Sequence, residues 1–286
     1  MTGKTKVLGV IGHPVSHSLS PAMHNAAISA LDLDYIYVPF HVLPDDLAKA
    51  VDGIRSLGIS GVNVTIPYKE RIIEYLDEVS ELSMMTGSVN TVVNRDGRLI
   101  GDTTDGRGFL KSAEAEWGKL DGMRVVVLGA GGSARAVCFA LAQVGCEIVI
   151  ANRTIERAGE LVEGLKVAFG TEVARVVGMN GDALAEEVAK AGLLVNTTSV
   201  GMSPDVDGIP IPAGLLHPKL LVYDLIYNPL NTRLVLEARS RGAKAVSGLG
   251  MLACQGALSF EMWTGRQAPV QVMEEAVARV TQNSSL

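Results

Sequence analysis

Short apolar runs and amphipathic stretches alternate along most of the chain, at lengths that suit strands and helices. The clearest unit begins at residues 124–128, which are apolar enough for a strand buried on both faces. After a glycine-rich turn, the apolar positions that share one face of a helix are Ala134, Val137, Cys138, Leu141 and Val144. A second apolar run at 147–151 completes strand, turn, helix and strand within about 30 residues. This order predicts a βαβ unit in the middle of the chain.

The rest of the chain repeats this alternation. Predicted strands lie at 6–11, 35–42, 61–66, 172–177, 193–196, 221–226 and 244–246. Predicted helices lie at 21–31, 44–57, 107–117, 155–168, 182–190, 231–241, 249–264 and 269–282, with one more opened by Pro67 and Ser20 as N-cap of the first. Residues 89–94 and 98–101 are predicted to form a hairpin, because the Asp96-Gly97 dipeptide between them favours a tight turn. The alternation indicates the α/β fold class.

Composition agrees with helix-covered parallel sheets and narrows the range of functions. Hydrophobic residues make up 48% of the 286 and aromatic residues only 5%, with 31 glycines, a balance that suits buried parallel strands. The length allows one large or two medium domains. A net charge of −6 without a basic block argues against a nucleic-acid partner. The absence of a signal segment or a membrane-length apolar run predicts a soluble, cytoplasmic protein with no membrane partner.

Neither the cysteines nor the histidines indicate a metal. Three cysteines, at Cys138, Cys146 and Cys254, lack metal-ligand spacing, and an odd count argues against a disulfide framework. His13, His17 and His24 are likewise not spaced as ligands. We therefore expect no metal centre.

The turn after residue 128 carries a dinucleotide-binding pattern. Its members are Gly129, Ala130, Gly131, Gly132, Ser133 and Ala134, which follow G-x-G-x-x-G/A. Gly129 permits the tight turn, Gly131 lets backbone amides approach a pyrophosphate, and Ala134 lets the helix pack close to the strand. The helix N-terminus then offers N–H groups and a partial positive charge to the phosphates. Because both strands and the helix accompany the glycines, a dinucleotide is favoured over a purely structural turn.

The end of the second strand indicates which dinucleotide. An NAD site places Asp or Glu about 20 residues after the glycines, whereas this chain has Asn152, Arg153 and Thr154, with Arg157 one helical turn later. Two guanidinium groups without a carboxylate suit the 2′-phosphate of NADP. A solvated arginine at a strand end is the alternative.

The N-terminal third holds polar residues where structure alone does not require them. Ser16 and Ser18 are predicted in an extended segment before a helix, where their side chains would point in the same direction. Two hydroxyls beside a helix N-terminus could bind a small carboxylate. The alternative is that these serines only stabilise a turn or cap the helix. Asn63 and Thr65 share one face of a strand that is otherwise apolar, which suggests an edge that faces a ligand.

Two charged residues later in the chain, Lys69 and Asp105, are also candidates for a functional role. Lys69 is predicted in the first turn of a helix, where a cation opposes the helix dipole. The alternative is an exposed lysine whose ammonium reaches water. Asp105 precedes a predicted helix, so plain N-capping competes with a catalytic role.

Taken together, these segments resemble the shikimate dehydrogenase family along nearly the whole chain. The segments that carry the resemblance are 16–21, 61–69, 90–92, 104–106, 129–134, 152–154, 196–198 and 250–252, with Gln255. Each is modest alone, but their shared order makes the match specific. Two departures occur: Thr103 stands where the family often has Asn, and Ser88 where it often has Ala.

The resemblance implies two α/β domains flanking a cleft, the second a Rossmann-type doubly wound parallel sheet. The substrate-binding, catalytic domain would comprise residues 1–105 and 248–286, and the NADP-binding domain residues 106–247. The implied reaction is reversible hydride transfer between NADPH and the C3 carbonyl of 3-dehydroshikimate, which gives shikimate. The partner is thus a small-molecule substrate, and a monomer or homodimer is expected.

The resemblance also implies roles for individual residues. Lys69 and Asp105 would form the catalytic pair, and Ser16 and Ser18 would hold the substrate carboxylate. The remaining substrate-binding candidates are Asn63, Thr65, Asn90, Tyr227 and Gln255. The candidates near the nicotinamide are Thr198, Leu225, Gly248 and Met251.

Two alternative functions remain at this point. A quinate/shikimate dehydrogenase of the same superfamily would accept a saturated ring and often NAD, but Asn152 and Arg153 speak against it. A non-catalytic NADP-dependent sensor on the same scaffold would have no reason to keep both Lys69 and Asp105.

Overall fold

The structure, a computed structural model, describes residues 1–170 and 173–283. Contacts divide the chain into two compact units, which we number in chain order. Unit 1 comprises Met1–Gly108 and Ala253–Leu286, and unit 2 comprises Phe109–Leu252. The predicted domain limits, 105/106 and 247/248, lie within a few residues of these divisions.

Unit 1 is built on a mixed sheet. Its strands are β1 (Lys6–Gly12), β2 (Tyr35–His41), β3 (Gly61–Val64), β4 (Glu78–Val79), β5 (Thr91–Arg95) and β6 (Arg98–Asp102). Their order is β2-β1-β3-β5-β6-β4. β1 pairs in parallel with β2 and β3, whereas β5 runs antiparallel to β3 and β6. The β5–β6 hairpin turns at Asp96 and Gly97, both with positive φ, which confirms the prediction from the sequence.

Helices and short 3₁₀ turns connect these strands. The helices are α1 (Ser20–Ala30), α2 (Leu47–Ser56), α3 (Glu81–Thr86), α4 (Asp105–Trp117), α9 (Leu249–Thr264) and α10 (Val270–Asn283), with 3₁₀ turns at Pro44–Asp46 and Arg71–Tyr75. The unit boundaries fall within α4 and α9. Buried aliphatic side chains such as Ile54, Val62, Ile72 and Leu99 form a core on the sheet.

Unit 2 is a parallel sheet with the strand order of a Rossmann fold. Its strands are β7 (Arg124–Leu128), β8 (Glu147–Asn152), β9 (Ala174–Gly178), β10 (Leu193–Asn196), β11 (Leu221–Asp224) and β12 (Lys244–Val246). The order β12-β11-β10-β7-β8-β9 reverses between β7 and β10, where ligands bind at the carboxyl ends of the strands in such sheets. The connecting helices are α5 (Gly132–Gln143), α6 (Ile155–Phe169), α7 (Asp182–Lys190) and α8 (Arg233–Ser240). The predicted α/β class and Rossmann-type second sheet are thus confirmed.

Two predicted helix starts are wrong. Ser20 is not an N-cap, because α1 begins at Ser20 itself and Leu19 occupies the cap position without a side-chain bond. No α-helix begins at Pro67. The Lys69 carbonyl accepts a hydrogen bond from the Val89 N–H at 2.8 Å, so it is not available to a helical partner, and the 3₁₀ turn begins only at Arg71. Lys69 therefore does not lie in the first turn of a helix, and its charge does not oppose a helix dipole as predicted.

Several element ends also differ from prediction. The strand predicted at 61–66 ends at Val64, and that predicted at 221–226 ends at Asp224. The start of the predicted strand 172–177 lies outside the described residues, and β9 begins at Ala174. Within 1–170 and 173–283, no helix has the length and apolarity needed to cross a bilayer. Over the same residues, no cluster of three or more His, Cys, Asp or Glu side chains is suited to a metal ion.

Candidate active site

Lys69 and Asp105 form an ion pair in unit 1. Lys69 Nζ donates to Asp105 Oδ2 at 2.5 Å. The Lys69 side chain is 22% exposed and that of Asp105 8%, so the lysine is partly exposed while the carboxylate is buried. Lys69 lies in the turn after β3, and Asp105 is the first residue of α4. Because its carboxylate binds other side chains, the N-capping alternative for Asp105 is not what the structure shows.

Asn90 holds the second oxygen of that carboxylate. Its Nδ2 donates to Asp105 Oδ1 at 2.7 Å and lies 3.1 Å from Gln255 Oε1. Its Oδ1 accepts from the Thr104 backbone N–H at 2.8 Å, which fixes the end of the amide that faces Asp105. The structure therefore brings Asn90, which was predicted to bind substrate, to Asp105, and the second predicted residue, Gln255, to Asn90.

A layer of buried polar groups supports Asn90 from behind. Asn63 Nδ2 donates to the Asn90 carbonyl and to Ser259 Oγ, each at 3.1 Å, and its Oδ1 accepts from the Tyr37 hydroxyl at 2.7 Å. Thr91 Oγ1 donates to Asn90 Oδ1 at 2.9 Å. The Asn63 amide thus holds its neighbours in place, and a direct contact of Asn63 with substrate stays a prediction. Sequence reasoning missed the supporting hydroxyl of Ser259, which no local pattern marks, and gave no role to Thr91 although it lies in the segment 90–92.

Ser16 and Ser18 lie in the turn between β1 and α1. The Ser18 N–H donates to the Val15 carbonyl at 3.1 Å, so this segment is not the extended lead-in that we predicted. The alternation argument for a shared direction is wrong, because period two applies to extended backbone. Ser16 is exposed and Ser18 half-buried.

Thr65 follows β3. Its methyl group packs so closely on Gly12 that a Cβ added at Gly12 would overlap it.

In unit 2, the glycine-rich loop leaves its backbone open at the start of helix α5. Gly129 has φ +106°, and a Cβ there would lie 2.6 Å from Thr197 Oγ1, so only glycine fits. A Cβ at Gly131 or Gly132 would meet no described atom within 4 Å. Helix α5 begins at Gly132 without a side-chain cap, which leaves its first N–H groups available to an anion. Ser133 and Ala134 follow in its first turn, and Ala134 is buried against the core.

The arginines at the end of β8 are exposed and available. Among the residues that the structure describes, neither Arg153 nor Arg157 has an ion pair or a hydrogen-bond partner on its guanidinium, and both are exposed. Asn152 Nδ2 donates to the Thr154 carbonyl at 2.8 Å, which shapes the turn into α6. The loop therefore presents unpaired positive charge beside the carboxyl end of β8, with no carboxylate at that position.

The other cofactor candidates surround the ends of β10, β11 and β12. Thr198 follows β10, Leu225 follows β11, and Gly248 packs so closely on Leu225 that a Cβ would overlap its carbonyl oxygen. Met251 is buried in α9. Tyr227, predicted to bind substrate, belongs to unit 2 with these residues, and burial raises the pKa of its hydroxyl.

Sequence reasoning missed a buried carboxylate in this region. Asp224 ends β11 and is 0% exposed. Burial raises its pKa to about 6, although hydrogen bonds from Thr232, Ile226 and Asn196 oppose the shift. A charged residue inside the apolar run 221–226 was the available signal.

Comparison with known proteins assigns the chain to a family. The model described as shikimate dehydrogenase substrate binding domain matches residues 10–92, and that described as shikimate / quinate 5-dehydrogenase matches 111–199. A third, shikimate 5′-dehydrogenase C-terminal domain, matches 248–278. The three together cover most of both units.

Relatives and solved structures match over nearly the full length. The NADP(+) shikimate dehydrogenase of Methanopyrus kandleri is 52% identical over 277 residues, 96% of this chain and 95% of that protein. A crystal structure of a shikimate dehydrogenase in complex with NADP+ superposes with a TM-score of 0.94 at 42% identity, covering 98% of this chain and 97% of that one. The shikimate 5-dehydrogenase from Thermus thermophilus, in complex with NADP(H) and shikimate, gives a TM-score of 0.87 at 41% identity, with 96% and 99% covered.

Proposed function

Because the chain belongs to the shikimate dehydrogenase family, we propose that it catalyses the reversible, NADPH-dependent reduction of 3-dehydroshikimate to shikimate. The observation that carries the proposal is the Lys69–Asp105 pair, in which a partly exposed lysine donates to a buried carboxylate. Such a pair is a means of moving a proton, and a carbonyl reduction needs one.

The residues of unit 2 fit NADP. The open backbone at Gly131 and Gly132 and the uncapped N-terminus of α5 suit a pyrophosphate. Arg153 and Arg157 suit a 2′-phosphate, since guanidinium groups bind phosphates through charge-assisted bonds. NADPH, when bound, supplies the hydride for the C3 carbonyl. The carboxylate that would select the NAD ribose has no counterpart at Asn152.

Lys69 would handle the proton of the reaction. Reduction of a carbonyl leaves an alkoxide-like oxygen, which a donor within hydrogen-bond reach must protonate. Lys69 Nζ carries such protons, and its side chain is partly exposed. Asp105 orients the ammonium and stabilises its positive charge, and Asn90 holds Asp105 through the second oxygen. In the oxidative direction the same pair would accept the proton from the C3 hydroxyl.

The neighbouring polar groups would orient the ring. Asn90, Thr65 and Gln255 are proposed to bind substrate hydroxyls, because amide and hydroxyl groups both donate and accept. Asn90 contacts both Asp105 and Gln255, so a substrate hydroxyl bound between the two amides would lie next to the acid–base pair. Ser16 and Ser18, on the turn before α1, are proposed to hold the substrate carboxylate. Tyr227 is proposed as a further substrate contact from unit 2.

Quinate is the alternative substrate, because the matched family model covers shikimate and quinate dehydrogenases alike. The decisive experiment measures NADPH or NADH absorbance with each combination of NADP+ or NAD+ and shikimate or quinate. We expect NADP+ with shikimate to give the highest kcat/KM. Equal or faster turnover of quinate with NAD+ would replace the proposal with the broader enzyme. Cofactor binding without turnover of either acid would favour a sensor.

A further inference from the structure

Asp224 has no task in the reaction outlined above, yet it is fully buried and bonded on both oxygens. Oδ2 accepts from the Thr232 hydroxyl at 2.6 Å. Oδ1 accepts from Asn196 Nδ2 at 2.9 Å and from the Ile226 N–H at 3.1 Å. Burial of a carboxylate is costly, so its retention at the carboxyl end of β11 requires a reason.

Asn196 carries this arrangement to the neighbouring strand. It ends β10 and is 0% exposed. Because its Nδ2 donates to Asp224, its Oδ1 faces the next loop, where it accepts from the Thr198 N–H at 3.0 Å and the Thr198 hydroxyl at 2.7 Å. One carboxylate therefore fixes both the Asn196 amide and the conformation of Thr198.

Backbone bonds extend the arrangement to the other nicotinamide candidates. The Leu225 N–H donates to the Asn196 carbonyl at 2.9 Å, and the Gly248 N–H donates to the Ile226 carbonyl at 3.0 Å. Thr232, held by Asp224, also caps α8 by accepting from the Val235 N–H. The ends of three neighbouring strands are thus tied to one another around Asp224.

We propose that Asp224 and Asn196 are positioning residues that hold Thr198 and Leu225 in place for the nicotinamide half of NADP. The inference rests on the proposed function. Thr198 and Leu225 are the groups that would touch the cofactor, whereas Asp224 acts only through them. Its carboxyl accepts hydrogen bonds from an amide, a backbone N–H and a hydroxyl, and over residues 1–170 and 173–283 no cation pairs with it. Burial raises the pKa of Asp224 to about 6.

The test compares two ligands that share the adenosine half. Isothermal calorimetry measures the binding of NADP+ and of 2′,5′-ADP to Asp224→Ala. We expect weaker binding of NADP+ and unchanged binding of 2′,5′-ADP, because only the first has a nicotinamide. kcat should fall by about tenfold to a hundredfold with little change in KM for shikimate, as a misplacement of about 1 Å is enough for such a loss.

Two further variants sharpen the test. Asp224→Asn keeps an acceptor toward Asn196 and Ile226 and can donate to Thr232 Oγ1, so it should restore most of the NADP+ affinity. Thr232→Val, which removes one bond to Asp224, should weaken NADP+ binding in the same direction but less. If Asp224→Ala does not fold, the binding measurements on these two variants replace it as the test.

Glu147→Ala is the matched control. Glu147 begins β8 and so lies at the amino end of the strands, whereas Asp224 lies at the carboxyl end, and Glu147 accepts from Arg124 and Arg175. We expect it to lower stability and to leave both ligands bound as in the wild type. Equal losses of NADP+ and 2′,5′-ADP affinity in Asp224→Ala, or no loss of either, would overturn the inference. A wild-type protein that binds NADP+ but does not oxidise shikimate would instead overturn the proposed function. The binding of NADP+ and 2′,5′-ADP would still test the positioning role of Asp224 in that case.

Discussion

Each unit contains a buried aspartate at the start or end of a secondary-structure element, and the two differ in their partners. Asp105 in unit 1 binds a lysine ammonium through one oxygen and an amide through the other. Asp224 in unit 2 binds an amide, a hydroxyl and a backbone N–H, and no cation among the residues that the structure describes. The lysine at Asp105 reaches solvent, whereas Asp224 and its partners Asn196 and Thr232 are buried.

The difference shows how the same functional group serves two purposes. A carboxylate with a partly exposed cation can orient and stabilise a proton donor, which is a chemical task. A carboxylate surrounded only by neutral donors holds those donors in fixed positions. The low dielectric of the buried site strengthens these hydrogen bonds and also raises the pKa of the carboxyl. The comparison therefore predicts that charge matters at Asp105 and that hydrogen-bonding shape matters at Asp224.

The largest expected effect follows from removing the cation. Lys69→Ala should lower kcat by about 10²–10⁴, with a much smaller change in the dissociation constant for shikimate, because the proton donor acts in the transition state. Steady-state kinetics and equilibrium binding measure the two quantities. Lys49→Ala, which removes an exposed Lys–Asp pair of unit 1, is the control and should leave kcat unchanged. Loss of binding with kcat within a few-fold would make Lys69 a substrate clamp.

A second effect is that buried groups in the two units change the protein's stability with pH in opposite directions. His24 in unit 1 is buried and stacks on Tyr37 at 4.3 Å, and burial lowers its pKa to about 3. Below its unfolded pKa of 6.5 the unfolded chain binds a proton that the native chain does not, so this group lowers stability as pH falls from 6.5 toward 3. The raised pKa of Asp224 acts oppositely, because the native state there binds the extra proton and loses stability as pH rises from 3.8 to about 6.

Urea unfolding at several pH values tests both signs. Each group contributes at most ~1.4 kcal/mol per pH unit to the slope. His24→Phe, which keeps the stacked ring, should flatten the rise of stability with pH between 4 and 6.5, and Asp224→Asn should steepen it. An unaltered slope in His24→Phe would mean that the histidine titrates normally in the folded protein.

A third effect concerns the exposed charge of unit 2. Arg153→Asp should shift the preference from NADP toward NAD by about 1–3 kcal/mol, roughly tenfold to a hundredfold, because a charge-assisted bond to the 2′-phosphate is lost. The ratio of kcat/KM for the two cofactors measures the shift. If that ratio hardly moves, Arg153 does not bind the 2′-phosphate.

The smallest effect concerns hydroxyls that neither network uses. Ser88 Oγ and Thr103 Oγ1 are buried near the Lys69–Asp105 site without a hydrogen-bond partner among the described residues. Ser88→Ala should therefore raise the free energy of unfolding by about 1 kcal/mol, because it removes an unsatisfied group. A clear loss of stability in thermal unfolding would show that the hydroxyl has a partner in solution.

Much of the fold was predictable from local pattern, and the exceptions share a cause. The βαβ unit at 124–152 matched closely, because strands of a parallel sheet are apolar throughout and the glycine turn is local. The helix predicted at Pro67 failed, since the Val89 N–H, distant in sequence, takes the Lys69 carbonyl. Local signals do not contain such partners.

The candidate site divides in the same way. Lys69, Asn90 and Gln255 were named from the sequence, and the structure brings Lys69 and Asn90 to Asp105 and Gln255 to Asn90. Their supports, such as Ser259, come from elements far apart in the chain. Asp224 escaped notice because its burial depends on Asn196 and Thr232, which only the folded sheet places around it.

The most direct test of the account measures kcat for shikimate oxidation in Asp105→Asn and Asp224→Asn side by side. Both changes remove a charge and preserve the shape of the side chain. We predict that Asp105→Asn loses at least about 10² in kcat, because Lys69 loses its counter-charge, while Asp224→Asn stays within a few-fold of the wild type because its hydrogen bonds survive. Equal losses in the two variants, or the larger loss in Asp224→Asn, would contradict the account.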